Sequence, residues 1–311
     1  MQHAVRDIVF FADSCAADSV SITFAIELAR LHGATLTLVS VTETADASLL
    51  HSRVGQDLAR MLADDKLRRL HDMETLAQAT ISADRVRRVV LEGEVGWHRL
   101  TQFVVQQPPD LVITEAQGGR NPGAFGSVSQ HLFRKCPVPV WSIPATLQDF
   151  PTRALIALHP GATSSDDRLL SRELLRLAVI LTAGTGIELH VGHAWDLWGE
   201  RIIESKYGQH GTRPLLAVQQ EYAHETMEQL LAESRCKELL TEIHYVKGEP
   251  SEAIPKLAEG IGAGVTILGS AARRGLEGFL IGSVAESIIE RLQCSALMIK
   301  RGGFVSPVHV A

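Results

Sequence analysis

A set of landmarks recurs along this chain at an almost constant interval, and that repetition constrains the fold more than any other feature. The pair Gly93-Glu94 returns as Gly248-Glu249, 155 residues on. Gly126-Ser127 returns as Gly282-Ser283 after 156, and Cys136 as Cys294 after 158. The surrounding segments match as well: DLVITEA with GVTILGS, and FGSVSQHLFRKCPVPVWSI with IGSVAESIIERLQCSALMI. A chain of 311 residues has room for two domains of ordinary size. The reading is therefore one domain over 1–146 and a second over 152–303. The Pro-punctuated stretch Ala145–Arg153 joins them, and a short tail covers 304–311.

Within each copy, short apolar runs alternate with helical patterns. The first copy opens with a run at Ile8–Phe11. A helix pattern follows, with Phe24, Leu28 and Leu31 on one face and Gly33 to stop it, and then the run TLTLVSV. The second copy repeats the order with ALIAL, then a helix carrying Leu174, Leu177 and Leu181, then IELHVGHAW. Each copy holds five such runs, mostly continuous in apolar character, as suits strands buried on both faces. Alternating β and α units imply a mainly parallel, doubly wound α/β (Rossmann-like) domain with right-handed crossovers. Two five-stranded sheets related by a pseudo-two-fold axis are expected. Their last strands, near Val138–Ile143 and Ser295–Ile299, should meet, because an open apolar edge invites unwanted pairing.

Composition excludes several functional classes. Basic residues are scattered and the net charge is −6, which argues against nucleic acid or an anionic membrane as partner. No apolar run reaches the roughly 18 residues of a membrane span. The start lacks the basic and apolar regions of a secretory signal, so a cytoplasmic location is expected. Cys15, Cys136, Cys236 and Cys294 are widely spaced and read as reduced thiols. Trp141, Phe150, Trp195 and Trp198 read as packing and rim residues.

The strongest local signal is VTILGSAARRGLEGFLIGSVAESIIERL. A buried strand ends near Leu268, a loop with Gly269, Gly275 and Gly278 follows, and Gly282-Ser283 open a helix. Glycines allow close backbone approach, and free N–H groups at a helix start suit a phosphate. The plainer reading is a turn whose glycines serve only the chain's path. Arg273 could meet an anion or simply face solvent. His190 and His193 point to opposite strand faces and do not chelate one ion together. His193 and His159 should approach each other and, with a third ligand, could hold zinc; no metal is assigned. No nucleophile elbow and no Ser-His-Asp arrangement is present, so no catalytic residue is assigned.

That segment resembles the signature of the universal stress proteins: a Gly, two residues, a Gly, nine residues, then Gly-Ser or Gly-Thr. Gly269 and Gly282 have the required spacing, Ser283 and Val284 fit, and Ala272 replaces the second glycine. The resemblance covers both halves. The HAWD stretch and the terminal CSALMIKRGGFVSPV are most similar to the E-type tandem branch.

The family resemblance implies a five-stranded sheet, dimer-like pairing of the two domains and, in one branch, ATP binding. It also implies a nucleotide-contacting Asp at the end of the first strand. Asp13 keeps that position in copy one, and His159 replaces it in copy two. The residues expected against adenine are Val41 and Ala194. Copy one keeps Gly126 and Ser127, but its loop is shorter and Glu115 stands where the loop glycine would be.

The expectation is a non-catalytic stress-response protein whose second domain binds ATP or another nucleotide-containing ligand. Its site would use Leu158, His159, Ala194, Leu268, Gly269, Ala272, Arg273, Gly282, Ser283 and Val284. Asp13, Val41, Gly126 and Ser127 would be vestiges. The alternatives are an interaction scaffold with degenerate sites and a weak ATP hydrolase. The partners expected are the chain's own second domain and, beyond that, a second copy of the chain.

Overall fold

A computed structural model describes residues 5–43, 52–93, 95–117, 125–160, 165–234, 236–270 and 282–309. In copy one the order is β1 (Asp7–Phe11), α1 (Val20–His32), β2 (Thr35–Glu43), α2 (Arg53–Gln78), β3 (Val86–Gly93), α3 (Gly96–Gln106), β4 (Leu111–Ala116), α4 (Ser127–Lys135) and β5 (Val140–Pro144). Copy two repeats it: β6 (Arg153–Ala157), α5 (Ser165–Thr182), β7 (Glu188–Trp195), α6 (Glu200–Ser234), β8 (Glu242–Lys247), α7 (Pro250–Gly260), β9 (Val265–Ser270), α8 (Ser283–Ile289) and β10 (Ser295–Lys300). Every residue of β4, β5 and β10 is buried, which is why these segments read as unbroken apolar runs. Gly33 ends α1 in the left-handed conformation (φ +66°), and its N–H bonds back to the carbonyls of Ala29 and Arg30.

The two expected sheets are in fact one. The strand order is β3-β2-β1-β4-β5-β10-β9-β6-β7-β8, ten strands long. All described pairings are parallel except β5 with β10, where Val140, Trp141 and Ser142 face Met298, Leu297 and Ala296. The last strands do meet, as expected. They meet by backbone hydrogen bonds rather than by face packing, because each would otherwise leave a row of N–H and C=O groups unpaired beside apolar side chains.

The seam is reinforced by side chains. Trp141 Nε1 donates to Ser295 Oγ at 3.1 Å, and that hydroxyl donates to the Gly264 carbonyl at 2.6 Å. Arg134 of α4 pairs with Glu286 of α8. The final segment crosses back onto copy one, where Ser306 Oγ donates to the Lys135 carbonyl and the His309 carbonyl accepts from Gln102.

Helices α1, α2, α5 and α6 pack on one sheet face, and α3, α4, α7 and α8 on the other. At the seam Trp141 meets Phe24 edge-on, with ring centres 4.4 Å apart, and Phe24 in turn meets Phe150 at 4.6 Å. Trp195 is also buried, whereas Trp198 is 93% exposed. The antiparallel seam and the shared helix faces make the two copies a pseudo-two-fold pair about an axis perpendicular to the sheet. The carboxyl ends of copy one's strands therefore lie along one rim of the sheet, and those of copy two along the opposite rim. No helix among the described residues is long and apolar enough to cross a membrane.

Candidate functional site

Ligands of doubly wound sheets bind at the carboxyl ends of the strands, so each copy offers one rim. In copy one that rim is filled by the protein's own groups. Asp13 lies in the short turn after β1, and its carboxylate is fully engaged. Ser40 Oγ donates to it at 2.5 Å, the Val41 N–H at 2.8 Å and Lys66 Nζ of α2 at 3.3 Å. The same ammonium donates to the Val41 carbonyl at 2.8 Å. Both backbone groups of Val41, the residue expected against adenine, are thus satisfied internally.

Glu115 is buried at the end of β4 and accepts a 2.6 Å hydrogen bond from Ser21, in the first turn of α1. Its side chain is thus held inside copy one, beside the start of α1, rather than offered to a ligand. Gly126 lies against the chain: a Cβ there would stand 2.2 Å from the Gln117 carbonyl oxygen. Ser127 is exposed.

Copy two is built differently. Phe11 pairs with Val39 and, equivalently, Ala157 pairs with Gly192. By that register the Asp13·Ser40 pair is replaced by His159·His193. The two rings do approach, with centres 5.9 Å apart. Among the described residues no third metal-ligating side chain joins them. His159 is exposed, while His193 is 5% exposed with Nδ1 3.1 Å from the Leu158 carbonyl. A carbonyl only accepts, so Nδ1 carries the proton. Burial pushes His193 from the ordinary 6.5 down to about 4; the Leu158 carbonyl opposes this, and His159 and His224 add to it.

The apolar residues assigned to this site do not share one pocket wall. Leu158 belongs to the core on the α5–α6 side, whereas Ala194 and Leu268 belong to the core on the other face. Gly269 is explained by packing, since a Cβ there would fall 2.8 Å from Leu174 Cδ1 and 3.0 Å from Leu170 Cδ2. Gly282 differs: among the described residues nothing lies within 4 Å of where its Cβ would be. Ser283 and Val284 beside it are exposed. Ala272 and Arg273, with Gly275 and Gly278, lie outside the described residues.

Two features escaped the sequence reading. Lys66 sits on a polar helix face with nothing local to mark it, and only the fold brings it to Asp13. The second is a cluster at the opposite rim of copy two, where His190, Glu242 and His244 place their ligating atoms within 4.8 Å of one another. Its signal was present as a repeated Glu-X-His, at Glu188-Leu189-His190 and Glu242-Ile243-His244. The thiols offer no nucleophile. All four are buried, and burial raises Cys15 to about 11 and Cys136 to about 12.

A profile of the Universal stress protein family matches residues 5–144 and 165–300, once in each half. Universal stress protein E of Salmonella typhi is 29% identical over 242 residues, spanning 71% of this chain and 72% of that protein. A putative universal stress protein from Pseudomonas aeruginosa superposes with a TM-score of 0.67 at 21% identity, covering 96% of this chain and 94% of that one. A universal stress protein from Archaeoglobus fulgidus does so at 0.63 and 18% identity, covering 95% and 98%. These structural likenesses speak to the fold.

Proposed function

The chain belongs to the universal stress protein family, with two such domains in tandem, and from that premise we propose that it is a non-catalytic stress-response regulator that binds a nucleotide-containing ligand at the rim of its second domain only. One observation carries this reading, the contrast between the rims. Copy one presents a closed knot of Asp13, Ser40, Val41 and Lys66, with Gly126 packed on Gln117. Copy two presents an exposed His159, an exposed Ser283 and a Gly282 with nothing among the described residues within 4 Å of where its Cβ would be.

The test is calorimetric titration of the purified chain with ATP and other adenine nucleotides. We expect a single ligand per chain. The double change Gly282→Val with Ser283→Ala should abolish binding, because Gly282 has ordinary negative φ and a valine there fills the open space without backbone strain. Changes at Gly126 and Ser127 should leave nucleotide stoichiometry and affinity unchanged, although any side chain at Gly126 must displace the Gln117 carbonyl and cost copy one stability. Two equivalent sites, or binding that survives the double change, refutes the assignment.

Turnover is not expected. Mg²⁺ prefers oxygen ligands, and His159 stands where the family's first-strand Asp would be. ATP hydrolysis should stay at background across a Mg²⁺ titration, in the wild type if not in a His159→Asp variant. A scaffold role is favoured by one separate observation, the apolar side chains left in solvent around the start of α6, where Trp198, Ile202 and Tyr207 are 93%, 73% and 61% exposed. Failure of every nucleotide to bind would shift the reading to that role.

A further inference from the structure

The repeated Glu-X-His lies on two neighbouring strands. β7 and β8 are parallel, with His190 opposite Glu242 and Gly192 opposite His244. Side chains two apart on a strand share a face, so Glu188 and His190 from one strand and Glu242 and His244 from the other converge at the amino-terminal rim of copy two. Gly192 presents no side chain opposite His244. Leu257 of α7 and Leu155 pack against it instead, within 3.0 Å of where its Cβ would be. The far side opens to water, with Glu242 and Glu188 more than half exposed.

The distances suit a small dication. His190 Nδ1 lies 3.1 Å from His244 Nε2, and His244 Nε2 lies 3.7 Å from Glu242 Oε2. A tetrahedral ion with ligands at about 2.0–2.1 Å sets its donors about 3.3 Å apart, so only the exposed Glu242 carboxylate has to swing inward. The outer nitrogen of His190 is informative too. The residue is 5% exposed, and among the described residues its Nε2 has no hydrogen-bond partner. The nearest carboxylate is Glu188 Oε2 at 3.9 Å, itself held by Arg153 Nε at 3.1 Å. With Nδ1 on an ion, the proton must sit on Nε2 and face Glu188, the carboxylate–histidine–metal relay that orients ligating imidazoles. A bare hydrogen bond between the two rings would explain their contact but not why the exposed Glu242 carboxylate converges on them, nor why the buried His190 Nε2 faces Glu188.

We propose that His190, His244 and Glu242 bind one divalent transition-metal ion of the zinc type, with Glu188 orienting His190 from outside. Two imidazoles with a carboxylate select this class over Ca²⁺ and Mg²⁺, which favour oxygen donors. The ion would tie β8, an edge strand of the sheet, to β7. The site is at the rim opposite the nucleotide site and does not depend on it.

The test uses the full-length protein, stripped by chelation, with no nucleotide present. Co²⁺ is added and the visible absorption of four-coordinate cobalt is recorded, followed by displacement with Zn²⁺. A single saturable equivalent is expected, displaced by Zn²⁺ and accompanied by a rise in melting temperature. His244→Ala and Glu242→Ala should each remove the signal, and Glu188→Gln should weaken binding about tenfold while leaving the fold intact. His71→Ala, on the exposed face of α2, serves as the histidine control and should bind like the wild type. Glu242 is exposed, so its removal keeps the test readable even if His244→Ala misfolds. Absence of a saturable cobalt signal, or a signal that persists in Glu242→Ala, overturns the proposal.

Discussion

His193 should make this protein's stability fall in mild acid, by an amount the structure sets. Its imidazole is buried with Nδ1 against the Leu158 carbonyl, and burial lowers it from 6.5 to about 4. In the unfolded chain the ring returns to its ordinary value. Above pH 6.5 it is neutral in both states and contributes no pH dependence. Below that, the unfolded state takes up a proton that the folded state resists, so stability is lost as pH falls from 6.5 toward 4. By linkage the loss is about 2 kcal/mol by pH 5 and about 3 kcal/mol in all.

His159 and His224 also face this ring, and the other ionisable groups of the chain add their own slope. The difference between wild type and His193→Gln isolates the one group, since glutamine stays neutral. Urea unfolding of both proteins at pH 7.5, 6.5, 5.5 and 5.0 (roughly the span over which the linkage acts) gives the curve. The wild type should lose about 2 kcal/mol more than the variant over this range. Parallel curves would mean that His193 is solvated or charged in the fold, and the argument from burial would fail.

Gly269→Ala should destabilise the second domain by about 1–3 kcal/mol, because the new methyl meets Leu174 and Leu170; a neutral outcome in urea unfolding would contradict the packing account. Trp141→Phe removes the donor to Ser295 at the seam and should cost about 1–2 kcal/mol, read from the same unfolding experiment. A double-mutant cycle on Arg134 and Glu286, both about a quarter exposed, should return a coupling below about 1 kcal/mol, since the pair is partly solvated.

The fold was legible because its determinants repeat. Strands buried on both faces must be apolar throughout, and a helix must end where Gly33 turns left-handed, so the two copies announce themselves in the residue order. The merging of two sheets into one was not legible. It depends on whether Val140–Ser142 and Ala296–Met298 meet edge to edge or face to face, and both arrangements need the same apolar residues. The rims were half legible. Asp13 and Ser283 stand at positions that the family resemblance identifies, but the closure of the first rim depends on Lys66, 53 residues from its partner in sequence. Gly269 illustrates the converse, a glycine placed by the phosphate-loop spacing whose visible constraint is two leucines of α5.

The seam between β5 and β10 also bears on how such a protein can change. In a symmetric dimer of separate chains, every substitution is made twice, and a residue that seals one rim seals the other. Here the equivalent partners are covalently joined but separately encoded. Lys66 blocks one rim without any effect on its counterpart, and the histidine pair reshapes the other without disturbing Asp13. Because the two rims face opposite ways, a molecule held at one cannot touch a molecule held at the other. Each half is therefore free to acquire or abandon a ligand on its own, while the shared sheet keeps both folded.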